Sequence, residues 1–320
     1  MLELLSGTNG NESKPNDSQN SPIATLQLDA PGVAQKIATR VLQEIDRYCI
    51  QAYDDGHRKH LGASLIGRNC KRYLWYVFRW CKHPPTTGRK QRLFNRGHRE
   101  EDRFVEWLRG IGFQVWTHDE TQPRKENGEF PQYRISDVMG HFGGSLDGIA
   151  QFPPGWGIDE AVLLEFKTSG TGSKFTKLMD NKMPVEKPDH FAQTSTYGYK
   201  YNFRFVLYLC INKNDDDLHI EIARLDHNLG RQMIAKAEII IGSQTPPPKL
   251  SEIPTFQDCR FCDMHDICHT GASIEKNCRS CVNATPIEDG KWHCAIYSDA
   301  LGPIPDDMIP TGCENYKAIA

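Results

Sequence analysis

Two stretches decide how this chain is read: GGSLDG at residues 143–148 and AVLLEFKTS at residues 161–169. The second is a run of apolar and β-branched residues closing on Glu165, Phe166 and Lys167, which reads as a buried strand. Side chains alternate along a strand, so Glu165 and Lys167 share one face and Phe166 turns to the core. The turn signal PPGWG separates the two stretches, which makes a hairpin-like pair with Asp147 on the strand beside Glu165. Two carboxylates and the Phe166 carbonyl then form a hard oxygen site of the kind that Mg²⁺ or Mn²⁺ takes. Such an ion polarises a phosphoryl oxygen and acidifies a bound water, and Lys167 is placed to orient that water or help deprotonate it, and to neutralise charge at phosphorus. An Asp followed by Glu-x-Lys also arises by chance as a charged pair on a surface strand. The glycines around Asp147 and the apolar strand ahead of Glu165 argue against that alternative here.

Outward from this pair the periodicities alternate. Helical spacing runs from about Ala34 to Tyr53, and SLIGRNCKRYLWYVFRW reads as a second helix that mixes basic and aromatic residues. HPPTTGRKQ reads as a loop, and FNRGHREEDRFVEWLRGIGF as an amphipathic helix ended by Gly110 and Gly112. Strands are expected at FQVW, across the stretch 129–152, and at FRFVLYLCIN and LHIEIARL. A Gly/Lys-rich connection leads to a helix over 188–201, and Asp226 opens another that runs to Ile241. This order gives an α/β fold with a central mixed sheet flanked by helices.

The composition, 38% hydrophobic and 25% charged, describes a soluble protein, and no apolar run approaches the ~20 residues that span a bilayer. No signal-peptide core is visible, so a cytoplasmic location and no membrane partner are expected. Residues 1–25, rich in Asn, Ser, Gly and Pro, are expected as a disordered tail. The net charge of −3 hides an asymmetry: between Arg68 and Arg109 stand twelve Lys/Arg against four Asp/Glu. That segment reads either as a phosphate footprint or as a solvated helix face.

Seven of the eleven cysteines fall between Cys259 and Cys313, which in a reducing compartment points to metal rather than disulfides. Cys278-x2-Cys281, then Cys294 and Cys313, reads as a small Cys₄ zinc module over residues 271–320, folded by its metal. Cys259-x2-Cys262-x5-Cys268 is a second, three-thiol group, one ligand short of a closed site. Cys49, Cys81 and Cys210 read as isolated thiols.

GGSLDG followed by LLEFKTS resembles the core of the PD-(D/E)XK nuclease superfamily. RGHREE upstream and Gln193-Thr-Ser-Thr-Tyr197 downstream are similar to flanking motifs of its RecB-type branch and of related viral exonucleases and CRISPR adaptation nucleases. The resemblance covers roughly Ser64 to Cys268 and implies a restriction-endonuclease-like nuclease domain over 26–270. It differs in that Asp147 is not preceded by Pro, a feature the branch often lacks. By resemblance Glu101, rather than Glu100, assists Asp147 and Glu165 at the metal. Gln193 and Tyr197 hold the scissile region or order the site, and His98 either joins the metal or stays a helix-surface residue. The branch's iron–sulfur nucleases implicate Cys70 as the fourth ligand of a [4Fe–4S] cluster with Cys259, Cys262 and Cys268. The competing reading is zinc on the trio with His265 or His269, which leaves Cys70 a buried thiol. The implied activity is a DNA exonuclease of recombination or end processing, acting on a single-stranded or free end, with an annealing or recombination protein as partner, in host cytoplasm if viral. A structure-specific endonuclease, an adaptation nuclease and an inactive DNA-binding scaffold are the alternatives.

Overall fold

The computed structural model describes residues 27–54, 56–83, 86–170 and 172–319. The tail expected over residues 1–25 lies outside them. The chain divides into two units, Met1–Arg47 and Tyr48–Ala320, with the helix α1 (Val33–Tyr53) running across their boundary. In the second unit, in chain order, come β1 (Leu61–Gly62), α2 (Lys71–Phe78), α3 (Gly88–Gly110), β2 (Gln114–Trp116), β3 (Arg134–Asp137), β4 (Phe142–Ser145), β5 (Gly148–Gln151) and β6 (Ala161–Ser169). They are followed by α4 (Gly172–Asn181), α5 (Met183–Glu186), α6 (Pro188–Tyr201), β7 (Phe205–Asn212), β8 (Leu218–Arg224), α7 (His227–Gly242), β9 (Ala284–Pro286) and β10 (Trp292–Cys294).

The principal sheet has the order β2-β5-β6-β7-β8. Only β6 and β7 run parallel, and the other neighbours are antiparallel, so the sheet is mixed as expected. The burial follows the sequence pattern. β6 and β7, the apolar runs, are covered on both faces, whereas β8 alternates and leaves Leu218, Ile220 and Ile222 exposed at the sheet edge. On one face Phe104 and Leu108 of α3 pack with Leu164, Phe166, Leu207 and Leu209. On the other, Leu163, Tyr208 and Cys210 pack with Tyr197 of α6 and Phe175 and Leu178 of α4. The mixed α/β architecture, a central sheet flanked by helices, is therefore present. A second, three-stranded sheet, β1-β4-β3, stands beside the first. Among the described residues no helix is long and apolar enough to cross a membrane.

Three local expectations differ from the structure. The helix expected from Ser64 is confined to α2, which begins when the Cys70 Sγ accepts the Tyr73 N–H. Ahead of it Gly67 lies so close to α6 that a Cβ there would stand 2.6 Å from the Asp189 Cα. α3 starts at Gly88, inside the expected loop, because the Thr87 hydroxyl caps it by accepting the Lys90 N–H at 3.2 Å. The Gly/Lys-rich connection is largely helical: Phe175 and Leu178, three residues apart, anchor α4 against the sheet. A parallel β6–β7 pair needs such a crossover.

The cysteine-rich C-terminal residues belong to the same compact unit. Trp292 on β10 is buried against Phe78, ring centroids 5.3 Å apart, and the His141 imidazole lies Nε2 2.9 Å from the Ile287 carbonyl and 3.0 Å from that of Lys291. Burial leads the causes that depress His141 to about 4, so the folded protein holds it neutral with the proton on Nε2. The unfolded chain takes up that proton near pH 6.5, which favours unfolding in acid. His141 thus contributes stability above pH 6.5 that is lost as the pH falls towards 4. We expect thermal melting of the wild type to decline over that window. His141→Gln should show a shallower decline, and identical pH slopes would contradict the assignment.

Candidate active site

The first residue of β5, Gly148, pairs with Leu164, which brings Asp147 beside Glu165. The Asp147 Oδ2 accepts the Phe166 N–H at 2.6 Å, a charge-assisted bond that ties the two strands together at the site. Phe166 turns away, as strand alternation requires, and stacks on Phe104 of α3 with centroids 5.0 Å apart. Glu165 is fully buried. Its Oε1 forms an ion pair with the Lys167 ammonium, and its Oε2 accepts from the Gln193 amide at 3.4 Å. Lys167 also donates to the Phe166 carbonyl at 3.1 Å.

Electrostatics place Glu101 in the same group. Its carboxyl is pushed up to about 7, first by burial and then by Asp147, while Lys167 acts in the opposite direction. Burial likewise raises Glu165 to about 7, and it raises Asp147 against the pull of Lys167, the Phe166 N–H and His98. Lys167 is displaced upward: burial opposes its charge, but Glu165 and Asp147 together outweigh that. Between these carboxylates it is held as an ammonium, suited to orienting water and neutralising charge. Glu100, the other acidic candidate on α3, is buried and committed to Arg103 at 2.7 Å. His98 is exposed, one turn before Glu101, and close enough to act on Asp147.

Gln193 and Tyr197 sit on one face of α6, and both are buried, Tyr197 to 1% exposure. The Gln193 amide lies 3.4 Å from the Tyr197 hydroxyl as well as from Glu165. The pair is therefore placed to support the Glu165 carboxylate from beneath. Behind it, His190 Nδ1 stands 3.0 Å from the Tyr208 hydroxyl, and burial, then Lys167, depress it to about 3, so it remains a neutral imidazole.

A cleft of about 510 Å³ opens from Glu101, Asp147 and Phe166, with Arg109, His118 and Gln132 among the residues of its walls. No sequence motif marks those three. His118 and Gln132 are brought together by an isolated antiparallel bridge.

The oxygen set here is chemically suited to a hard divalent cation: three carboxylates, Glu101, Asp147 and Glu165, gather around one ammonium, Lys167, which pairs with the Glu165 Oε1. The thiols form two further groups. Cys70, Cys259, Cys262 and Cys268 line one cavity of about 370 Å³, with His265 and His269 also on its wall. The Tyr73 and Met264 N–H groups and the Arg72 guanidinium point at Cys70, Cys262 and Cys268. Cys278, Cys281, Cys294 and Cys313 line another cavity of only about 20 Å³, where burial and the three companion thiols push Cys278 up to about 11. Among the described residues no three His, Cys, Asp or Glu side chains are already drawn into the geometry that holds a single metal ion.

No protein-family model matches the chain, and no curated protein matches it. Solved structures give distant likenesses. A structure titled SSO0001 is similar at 14% identity and TM-score 0.39, over 71% of this chain and 96% of its own. An alkaline exonuclease, LHK-Exo, from Laribacter hongkongensis is similar at 14% identity and TM-score 0.39, over 61% of this chain and 90% of its own. The same exonuclease in complex with dAMP gives 12% identity and 0.39, over 57% and 86%. At such values the functional reading rests on the residues of the site.

One contact tests the support beneath Glu165. A Cβ on Gly144 would stand 2.4 Å from the Tyr197 hydroxyl and 3.1 Å from the Ala63 Cβ. Gly144→Ala should therefore cost ~1–3 kcal/mol by overpacking. Thermal or urea melting should show a smaller cost in a Tyr197→Phe background, which lacks the clashing oxygen. Equal costs in the two backgrounds would show that the hydroxyl is not the obstacle.

Proposed function

We propose that this chain is a divalent-metal-dependent deoxyribonuclease of PD-(D/E)XK type that hydrolyses DNA from a single-stranded or free end. The observation that carries the reading is the convergence of Asp147, Glu165, Lys167 and Glu101, two of which, Glu101 and Asp147, line one cleft, with Gln193 and Tyr197 supporting Glu165. Asp147, Glu165 and the Phe166 carbonyl would hold Mg²⁺ or Mn²⁺, with His98 and Glu101 at the periphery. When bound, the ion supplies charge for the phosphoryl oxygens and an acidified water.

The protein groups do the rest. Lys167 orients the attacking water and offsets charge that develops on the phosphorus oxygens. Glu101, on the cleft wall, is the carboxylate placed to accept the water's proton as the new P–O bond forms and the bond to the leaving oxygen breaks. Gln193 holds Glu165 in orientation. The Asp147–Phe166 bond fixes the distance between the two strands that carry the ligands.

The cysteine sites are part of this proposal. Four thiols on the wall of one cavity, with N–H donors directed at three of them, suit a [4Fe–4S] cluster, whose sulfurs take such hydrogen bonds. Four thiols around about 20 Å³ suit a single Zn²⁺. Each would clasp distant segments of the chain rather than take part in hydrolysis.

Lys167→Ala should lower Mg²⁺-dependent degradation of end-labelled linear DNA by at least ~100-fold while DNA binding persists. Wild-type rates in the variant would overturn the catalytic assignment, and cutting of closed circles would favour an endonuclease. Protein purified without oxygen should be brown and contain acid-labile sulfide. A colourless protein with zinc alone would return the first thiol group to the zinc reading.

A further inference from the structure

Arg279 stands inside the Cys278–Cys281 knuckle, yet its side chain leaves the thiols and enters the core, where it is 1% exposed. The guanidinium lies among three aromatic rings, 4.7 Å from Phe78, 4.4 Å from Trp80 and 4.8 Å from Trp292. Its Nη1 donates to the Arg58 carbonyl at 3.3 Å and the Lys59 carbonyl at 3.0 Å. Among the described residues its Nε and Nη2 have no hydrogen-bond partner. A guanidinium desolvated in this way is costly, and the two backbone carbonyls are the polar groups that it holds.

The held segment has other tethers. The Trp80 indole donates to the same Arg58 carbonyl at 2.9 Å, and the His57 ring stacks on Trp80 at 5.0 Å. Lys59 pairs with Asp306 at 2.6 Å. With its backbone fixed, the segment feeds into β1, which pairs with β4 where Gly144 meets the Tyr197 hydroxyl. The Arg58 side chain is exposed, 3.3 Å from the Ser64 hydroxyl, and close enough to act electrostatically on Tyr197. Arg134 on β3 is also exposed, pairs with Ser145 of β4, and like Arg58 acts on His60. The result is a cationic rim beside the residues that support Glu165, outside the basic stretch visible in the sequence.

We propose that Arg58 and Arg134 grip the phosphate backbone of the substrate strand, and that Arg279 is the positioning residue by which the four-thiol module holds that rim. The inference rests on the nuclease reading and adds to it a strand-binding surface and a role for the C-terminal module. Arg279 touches no substrate. It acts through the Arg58 and Lys59 carbonyls.

The test is binding of a short fluorescein-labelled single-stranded DNA, with Ca²⁺ in place of Mg²⁺, across a salt series, alongside kcat and KM measured with Mg²⁺. Arg58→Ala with Arg134→Ala should raise Kd about ten-fold and reduce the salt slope by about one to two, as lost phosphate contacts do, and the loss in kcat/KM should fall mainly on KM. Arg279→Lys and, separately, Trp80→Phe should each raise Kd several-fold. Added to the Arg58/Arg134 pair, each should worsen Kd by less than about two-fold, because the rim they hold is already gone. An unchanged Kd and salt slope in the Arg58/Arg134 variant overturns the surface. Full additivity overturns the positioning role, and Trp80→Phe decides that point if Arg279→Lys does not fold. A wild type that binds no DNA removes the nuclease reading as well, whereas one that binds and cleaves with an indifferent rim removes this inference alone.

Discussion

The carboxylate of Glu165, buried in the middle of the sheet with an ammonium as its counter-charge, is the constraint around which this protein is arranged. A buried charge stays ionised only if its neighbours replace the water it has lost. Lys167 supplies the opposite charge from the same strand face, and Gln193 supplies a hydrogen-bond donor from α6. Asp147 then adds a second negative charge nearby, and Glu101 a third. Burial raises all three, and the charge of Asp147 adds to it at Glu101 and Glu165.

The placement of that charge depends on ordinary sheet physics. β6 and β7 are apolar enough to be covered on both faces, which fixes their central position and leaves Glu165 beneath α6. Antiparallel pairing of β5 with β6 sets Asp147 at the strand end, where its carboxylate can accept a backbone N–H. A slip of one residue would turn Glu165 and Lys167 to the opposite face and Phe166 to this one. The stacking of Phe166 on Phe104 opposes that slip.

Strand and helix periods made β6, β7, α6 and the alternation of Glu165, Phe166 and Lys167 legible, because burial and sequence pattern agree there. The helical crossover after β6 was hidden by its lysines and glycines, since only Phe175 and Leu178 face inward. The early start of α3 was hidden because a single capping threonine, rather than an apolar stripe, decides it. Helical spacing put Gln193 and Tyr197 on one face of α6, and the depth at which both are buried is what it left open. Arg58 and Arg134 have no signature at all. The segments that carry them flank one strand, β4, through β1 and β3, and no local pattern records such a neighbour.

The bond from Arg279 to the Arg58 carbonyl joins residues 221 positions apart. Contacts of that separation close late, because the chain between them must first be ordered. During synthesis, the central sheet and its carboxylates emerge well before residue 279 does, so the strand ladder can assemble while this tether to the 57–60 segment is still missing. The core and the rim of this protein therefore belong to different stages of its biogenesis, and the cysteine knuckle that completes the rim is made after the sheet that it joins.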